Sequence, residues 1–191
     1  MSIPDGSVSI NWLNISLNQF SSFLTLAHTS PMTFARFLLA DLLPKEIKRV
    51  LYLDSDLLVI GDLGPLWCTT RAGCCAGAAR DLAFDSLTKR QEPQCAGMPL
   101  VKLYFNAGVL LIDLYQWRQQ RIGERAMQYL TKHPNSPYAD QDALNAVLDG
   151  SWKILADEWN FQPHYNTNII GMKPELRPVI VHFVSPMKPW R

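Results

Sequence analysis

The chain has 191 residues, 48% hydrophobic and 18% charged, enough for one globular domain with a real core and short for two. Lys and Arg number 18 against 17 Asp and Glu, a formal charge of +1, so bulk electrostatics do not select nucleic acid as a partner. No apolar run reaches membrane-spanning length, and the opening residues, with Asp5 among them, do not compose a signal peptide. Cys68, Cys74, Cys75 and Cys95 make no C-x-x-C pair, and reduced thiols are expected.

Residues 9–15 alternate weakly between apolar and polar and predict a strand near a sheet edge. Residues 16–29 read as a connection in which Phe20, Phe23 and Leu24 supply small apolar contacts. A helix is predicted from Pro31 to Pro44, because Phe34, Phe37, Leu38 and Leu42 share one side and the two prolines suit its ends. Arg36 sits among these apolar residues, as a surface charge or as an anion contact. Residues 49–54, RVLYLD, read as a buried strand, followed by turns at Gly61 and Gly64–Pro65 and a core or edge anchor at Trp67.

Residues 76–80 predict a short strand ending at Asp81, and the polar stretch 82–98 a mobile loop that admits an acceptor. Residues 104–114, YFNAGVLLIDL, predict another buried strand, interrupted near its start by Asn106 and Gly108. An amphipathic helix is expected over 117–130, and another over 140–148 with Asp140 as its N-terminal cap. Short strands at 152–155 and 179–184 follow. Strands alternating with helices predict an α/β fold.

The chemistry concentrates at two places. If the extended conformation runs one residue past the strand at 49–54, Asp54 and Asp56 point to the same side. Such a pair, completed by a diphosphate, suits a hard divalent cation such as Mn2+ or Mg2+. Asp-x-Asp alone is a weak pattern. A second cluster at 182–190, HFVSPMKPW, adds His182 and Lys188. An isolated histidine in an apolar strand is more often a hydrogen-bonded core residue, but Lys188 has few packing reasons to sit between Met187 and Pro189. Asn106 likewise has no packing reason to open a buried strand. Asp140, Gln141 and Asp142 need mean no more than capping and solvation. His28, His133 and His164 have no partner pattern.

Taken in order, PMTFARFLLADLLP, KRVLYLDSDLLVIGDLGPLW, YFNAGVLLIDLYQWR, YADQDALNAVL, WKILADEWNFQPHYN and VIVHFVSPMKPW resemble glycosyltransferase family 8. These are retaining transferases that use nucleotide sugars, among them bacterial lipopolysaccharide galactosyl- and glucosyltransferases. The resemblance implies a Rossmann-like GT-A domain over 1–191 with a mixed, mostly parallel sheet. It implies transfer of galactose or glucose from a UDP-hexose to a saccharide acceptor, the lipopolysaccharide core, in the cytoplasm or at the inner membrane face.

By that resemblance Asp54, Asp56 and His182 are ligands of Mn2+, or of Mg2+, and Lys188 holds the diphosphate. Arg36 and Asp81 contact the donor, the latter through its sugar, and Asn106 is an amide facing donor and acceptor. Asp140 binds a sugar hydroxyl, and Gln141 sits on the β face of the anomeric carbon. Tyr165, Asn166 and Gly171 line the acceptor side. Gln141 is a poor nucleophile, so a same-face substitution is expected, in which the departing phosphate helps deprotonate the acceptor. A covalent route through Asp140 or Asp142 is the lesser branch.

The pattern departs from the family in one respect. Members open with strand and helix units before anything like residues 9–15, and the chain is expected to lack these units and their nucleotide pocket. A C-terminal basic or aromatic tail is expected to be missing too. The alternative reading is therefore an inactive or regulatory relative that binds nucleotide sugar weakly, or one completed by self-association or a complementing chain. A divalent-metal phosphohydrolase built on Asp54 and Asp56 is the reading outside the family.

Overall fold

The computed structural model describes residues 9–16, 18, 31–70, 73–84, 91, 95–163, 177–185 and 188–190. Its central strand forms where the sequence is most continuously apolar. In β4 (Phe105–Asp113) every residue through Ile112 is buried. It lies between β1 (Arg49–Leu53) and β3 (Ala76–Arg80), both antiparallel to it. β5 (Trp152–Ile154) pairs in parallel with β3, giving the order β1-β4-β3-β5. β2 (Leu57–Val59) and β6 (Ile180–His182) make a separate antiparallel pair.

The expected mostly parallel sheet is therefore corrected: among the described strand pairings only β3 with β5 is parallel. The reason is that a buried apolar run reads the same in either direction, so its burial pattern carries no information on polarity. The strand expected over 9–15 is also absent. Ile10, Trp12 and Leu13 are exposed there, and no neighbouring strand offers a ladder among the described residues.

Phe105, Ala107, Leu110 and Ile112 join the larger core with Phe34, Phe37, Trp117, Ile122 and Leu144. Val109 joins Leu66, Leu155, Trp159 and Ile180 in a second cluster. Inward residues are thus odd-numbered before Gly108 and even-numbered after it. The β3 ladder slips at the same place. Ala78 pairs with Leu110, so a regular ladder would set Arg80 against Gly108, but Arg80 pairs with Phe105. The slack is Asn106-Ala107-Gly108. Irregularities of this kind re-aim side chains beside functional sites.

The predicted helix at Pro31 exists, but most of it is 3-10 (Pro31–Leu38), ending in a short α1 (Leu39–Leu42). Its last carbonyls are satisfied by Arg118, which donates to Ala40 O at 2.9 Å, Leu43 O at 3.1 Å and Pro44 O at 3.2 Å. The predicted turn at Gly64 is a one-turn helix, α2 (Gly64–Trp67). Leu66 is its buried anchor; Trp67 is exposed, with the Arg49 guanidinium over its ring.

The single helix expected over 117–130 is two, α3 (Leu114–Gln119) and α4 (Ile122–Lys132). Asp113 starts α3 by accepting the Gln116 N–H at 3.0 Å. Arg121, at φ 50°, breaks the chain between them. Gly123 follows at once, and a Cβ there would lie 2.0 Å from the Phe37 carbonyl oxygen. α4 can approach the Arg36-bearing helix this closely only because the side chain is missing.

α5 (Ala139–Val147) follows. Asp140 is not its cap, as expected, but is buried and turned inward. Asp142 instead accepts the Tyr138 N–H at 2.8 Å. Of the loop expected over 82–98, residues 85–90 and 92–94 lie outside the described residues; Cys95 and Met98 pack on Val101 and Tyr104. The four cysteines are free thiols. Among the described residues no helix is long and apolar enough to cross a membrane.

Gly123→Ala is expected to destabilise the fold by about 1–3 kcal/mol or more through overpacking against Phe37, read as a lower urea midpoint. Gly150→Ala, which meets nothing within 4 Å but has φ +73°, is expected to cost less.

Candidate active site

The end of β1 meets the irregular start of β4. Asp54 N–H donates to Gly108 O at 2.9 Å, which places Asp54 beside the slack in β4. The chain then turns rather than continuing extended, so the expected sharing of one strand side does not hold, and the turn carries Asp56 back toward β6. Phe183 N–H donates to Asp56 O at 3.0 Å, which fixes the two segments together. One oxygen from each of Asp54 and Asp56 and one ring nitrogen of His182 lie within 4.8 Å of one another.

His182 is buried and occupies space that any other residue at 108 would fill. A Cβ on Gly108 would lie 2.1 Å from the imidazole Cε1. Nε2 is 3.3 Å from Asp56 Oδ1, and Nδ1 is 2.9 Å from Asn160 Oδ1. Lys188 reaches the other oxygen of Asp56 at 2.7 Å and also donates to the Phe183 carbonyl. Burial alone would raise the Asp56 carboxyl, but His182, when its ring is charged, and Lys188 outweigh it and hold the group well below the usual carboxylate range. Asp56 is thus a stable anion.

Arg36 supplies the counter-charge on the other side. It is buried, 2.8 Å from Asp54 Oδ1 and 3.1 Å from Asp140 Oδ2, and it donates to Ala107 O at 2.7 Å. Desolvation works against its charge, yet Asp140 and Asp54 overcome this and raise it above its ordinary value. Tyr52 donates to Asp54 Oδ1 at 2.6 Å and lies under the guanidinium.

Behind the acid pair lies a layer of amides, Asn106 and Asn160 buried and Gln141 half-buried. Asn106 donates to Asp81 Oδ2 at 3.1 Å and Gln141 to the same oxygen at 3.1 Å. Gln141 Oε1 accepts the Ala107 N–H at 3.0 Å, so both ends of this amide are held. Asn160 donates to Asn106 Oδ1 at 2.9 Å. Burial pushes the Asp81 carboxyl up, against the pull of these two amides. Asp142 accepts from Tyr104 at 2.6 Å and Ser136 at 2.8 Å.

Arg36, Asp54, Asp56, Asp81, Asn106, Asp140, Gln141, His182 and Lys188 therefore belong to one connected network. Tyr165, Asn166 and Gly171 lie outside the described residues. Sequence reasoning missed Tyr52, Asn160 and the steric role of Gly108. Gly108 had a signal, as a break in an apolar strand; Tyr52 and Asn160 read as ordinary strand and loop residues.

The donor set fits a hard divalent cation: two carboxylates, one imidazole, a glycine-made recess for the ring, and an amide behind it. The α/β frame that carries these residues is a GT-A glycosyltransferase fold, as its likeness to solved structures shows. The solved galactosyltransferase LgtC, in complex with donor and acceptor sugar analogues, superposes with a TM-score of 0.83 at 30% identity, over 99% of this chain and 71% of that one. Residues 7–191 match the model of Glycosyl transferase family 8, and the chain belongs to that family.

Among curated relatives, it is 32% identical to General stress protein A of Bacillus subtilis, over 96% of this chain and 67% of that protein. It is 33% identical to Glycosyltransferase GlyE of Streptococcus pneumoniae, over 86% of this chain and 38% of that protein. The chain thus spans about two thirds of one relative and under half of the other.

Gly108→Ala is expected to push the imidazole away from Asp56 and weaken Mn2+ binding by roughly 10-fold or more, measured by calorimetry. Unchanged affinity with the ring in place would contradict the steric argument.

Proposed function

We propose that the chain is a retaining hexosyltransferase that moves galactose or glucose from a UDP-hexose to a saccharide acceptor, the lipopolysaccharide core. The observation that carries this reading is the convergence of Asp54, Asp56 and His182, with Lys188 alongside, at the junction of β1, β4 and β6. Asp54, Asp56 and His182 would hold Mn2+, or Mg2+. When bound, the cation neutralises charge on the departing diphosphate.

The chain's own residues supply the rest. Lys188, reached from the loop after β6, donates to the diphosphate as the sugar–phosphate bond breaks. Arg36 pairs with Asp54 and Asp140 and orients them, with Asp140 accepting from a sugar hydroxyl. Asp81 and Asn106 face the donor sugar. Gln141 Oε1, already fixed by the Ala107 N–H, keeps a second lone pair for the anomeric carbon as it gains oxocarbenium character. The acceptor attacks from the face the diphosphate leaves, and the departing phosphate takes its proton.

Asp140 is committed to Arg36, and Asp142 to Tyr104, Ser136 and Tyr138, which argues against either as a covalent nucleophile. LgtC offers a precedent for an active-site amide, since one of its solved active-site mutants replaces a glutamine by glutamate.

A second reading has one observation in its favour. β1 ends its sheet among the described residues, so a second copy or a complementing chain would find a strand edge there. In that reading the isolated chain binds nucleotide sugar weakly and gains activity on association.

The test is incubation with UDP-glucose or UDP-galactose, Mn2+ and an oligosaccharide acceptor, with product configuration read by NMR. An α-linked product is expected. Lys188→Ala is expected to lower kcat by about 100- to 1,000-fold, and Asp54→Ala with Asp56→Ala to abolish transfer. Free hexose released at the same rate with and without acceptor would favour a hydrolase instead. Activity that rises with protein concentration, alongside a dimer in size-exclusion chromatography, would favour the second reading.

A further inference from the structure

We propose that Asp81 sets the tautomer of His182 through two buried amides, which makes Asn106 and Asn160 positioning residues for the imidazole nitrogen that faces Asp54 and Asp56. Only the last link, to the cation, rests on the function proposed above.

The direction of each bond follows from the one before. Asp81 Oδ2 lies 3.1 Å from the side-chain nitrogens of both Asn106 and Gln141, and a carboxylate accepts. Asn106 must therefore turn its NH2 toward Asp81. Its oxygen then faces the other way, where it receives the Gly108 N–H at 3.0 Å and the Asn160 NH2 at 2.9 Å. That orientation leaves Asn160 Oδ1 pointing at His182 Nδ1, 2.9 Å away. An amide oxygen only accepts, so Nδ1 carries the ring proton. On the neutral ring Nε2 is then left with a bare lone pair 3.3 Å from Asp56 Oδ1, which accepts as well. Two acceptors that face each other in this way suit a shared cation.

Reversing the relay is unfavourable at every amide link, and its one gain is an Nε2–H turned toward Asp56 Oδ1. Turning Asn160 over sets its oxygen against the Asn106 oxygen. Turning both sets the Asn106 oxygen against Asp81 and its NH2 against the Gly108 N–H. Asn106, Asn160 and His182 are all buried, so no bulk water relieves such a mismatch. Asp81, which the proposed function sets against the donor sugar, is thereby linked to the imidazole through hydrogen-bond direction alone.

The decisive measurement is a two-bond 1H–15N correlation spectrum of the metal-free chain labelled with [15N]histidine, recorded on the neutral ring. A proton on His182 Nδ1 is expected, and a proton on Nε2 with Nδ1 bare overturns the proposal. Asn160→Leu is expected to give mixed tautomers and to weaken Mn2+ binding by roughly 10- to 100-fold in calorimetry. Asp81→Asn removes one of the two groups that hold Asn106, the Gly108 N–H being the other, and is expected to mix the tautomers from two amides away; an unmixed spectrum removes Asp81 from the relay. Circular dichroism checks that each variant is folded, and the wild-type spectrum decides the tautomer without any variant. Should the chain bind no Mn2+ while the Nδ1 proton is present, the function fails and the relay stands.

Discussion

The site depends on a contact that only a missing side chain permits. The His182 ring lies over Gly108, where a single added carbon would fall 2.1 Å from Cε1. This close approach lets β6, which belongs to a separate pair of strands, deliver an imidazole to two carboxylates carried by β1 and the turn after it. The irregularity in β4 serves the same end. By breaking its ladder with β3 over Asn106-Ala107-Gly108, the strand turns an amide and two backbone groups into the space where its neighbours' acids converge.

Electrostatics would otherwise oppose such a gathering. Asp54, Asp56, Asp81 and Asp140 are all at least partly buried, and uncompensated carboxylates in this setting are strongly unfavourable. The network divides the load. Arg36 balances Asp54 and Asp140, Lys188 balances Asp56, and Asp81 is met by amide and backbone N–H groups. Arg36 can do this because Phe34 and Phe37, flanking it on the same helix, anchor that helix in the larger core. Packing thus places the Arg36 guanidinium, and the guanidinium draws Asp54 and Asp140 together.

Much of the site could be read from residue types. Asp54, Asp56, His182 and Lys188 stand out because their neighbours are apolar and give them no structural reason to be there. Asn106 and Gly108 stand out for interrupting a strand. Asn160 could not be found this way, since one asparagine in an Asn- and aromatic-rich loop has no distinguishing context. Tyr52 looked like any residue of an apolar strand. Composition alone explains Asp140 and Asp142 as acids of a helix's first turn; both are buried, and only the resemblance sets Asp140 in the site.

The amino-acid order by itself determined which segments would be strands at 49–53, 76–80 and 105–113, which helix faces would be apolar, and which family the chain joins. These are consequences of local periodicity and of ordered motifs, and both are properties of neighbouring residues. Tertiary structure decided the antiparallel sense of most strand pairings, the slip in β4 and the break at Arg121. It also decided which oxygen of each acid meets which cation. Each of these depends on distances between segments far apart in the chain, set by how closely backbones can approach once side chains such as those missing at Gly108 and Gly123 are out of the way.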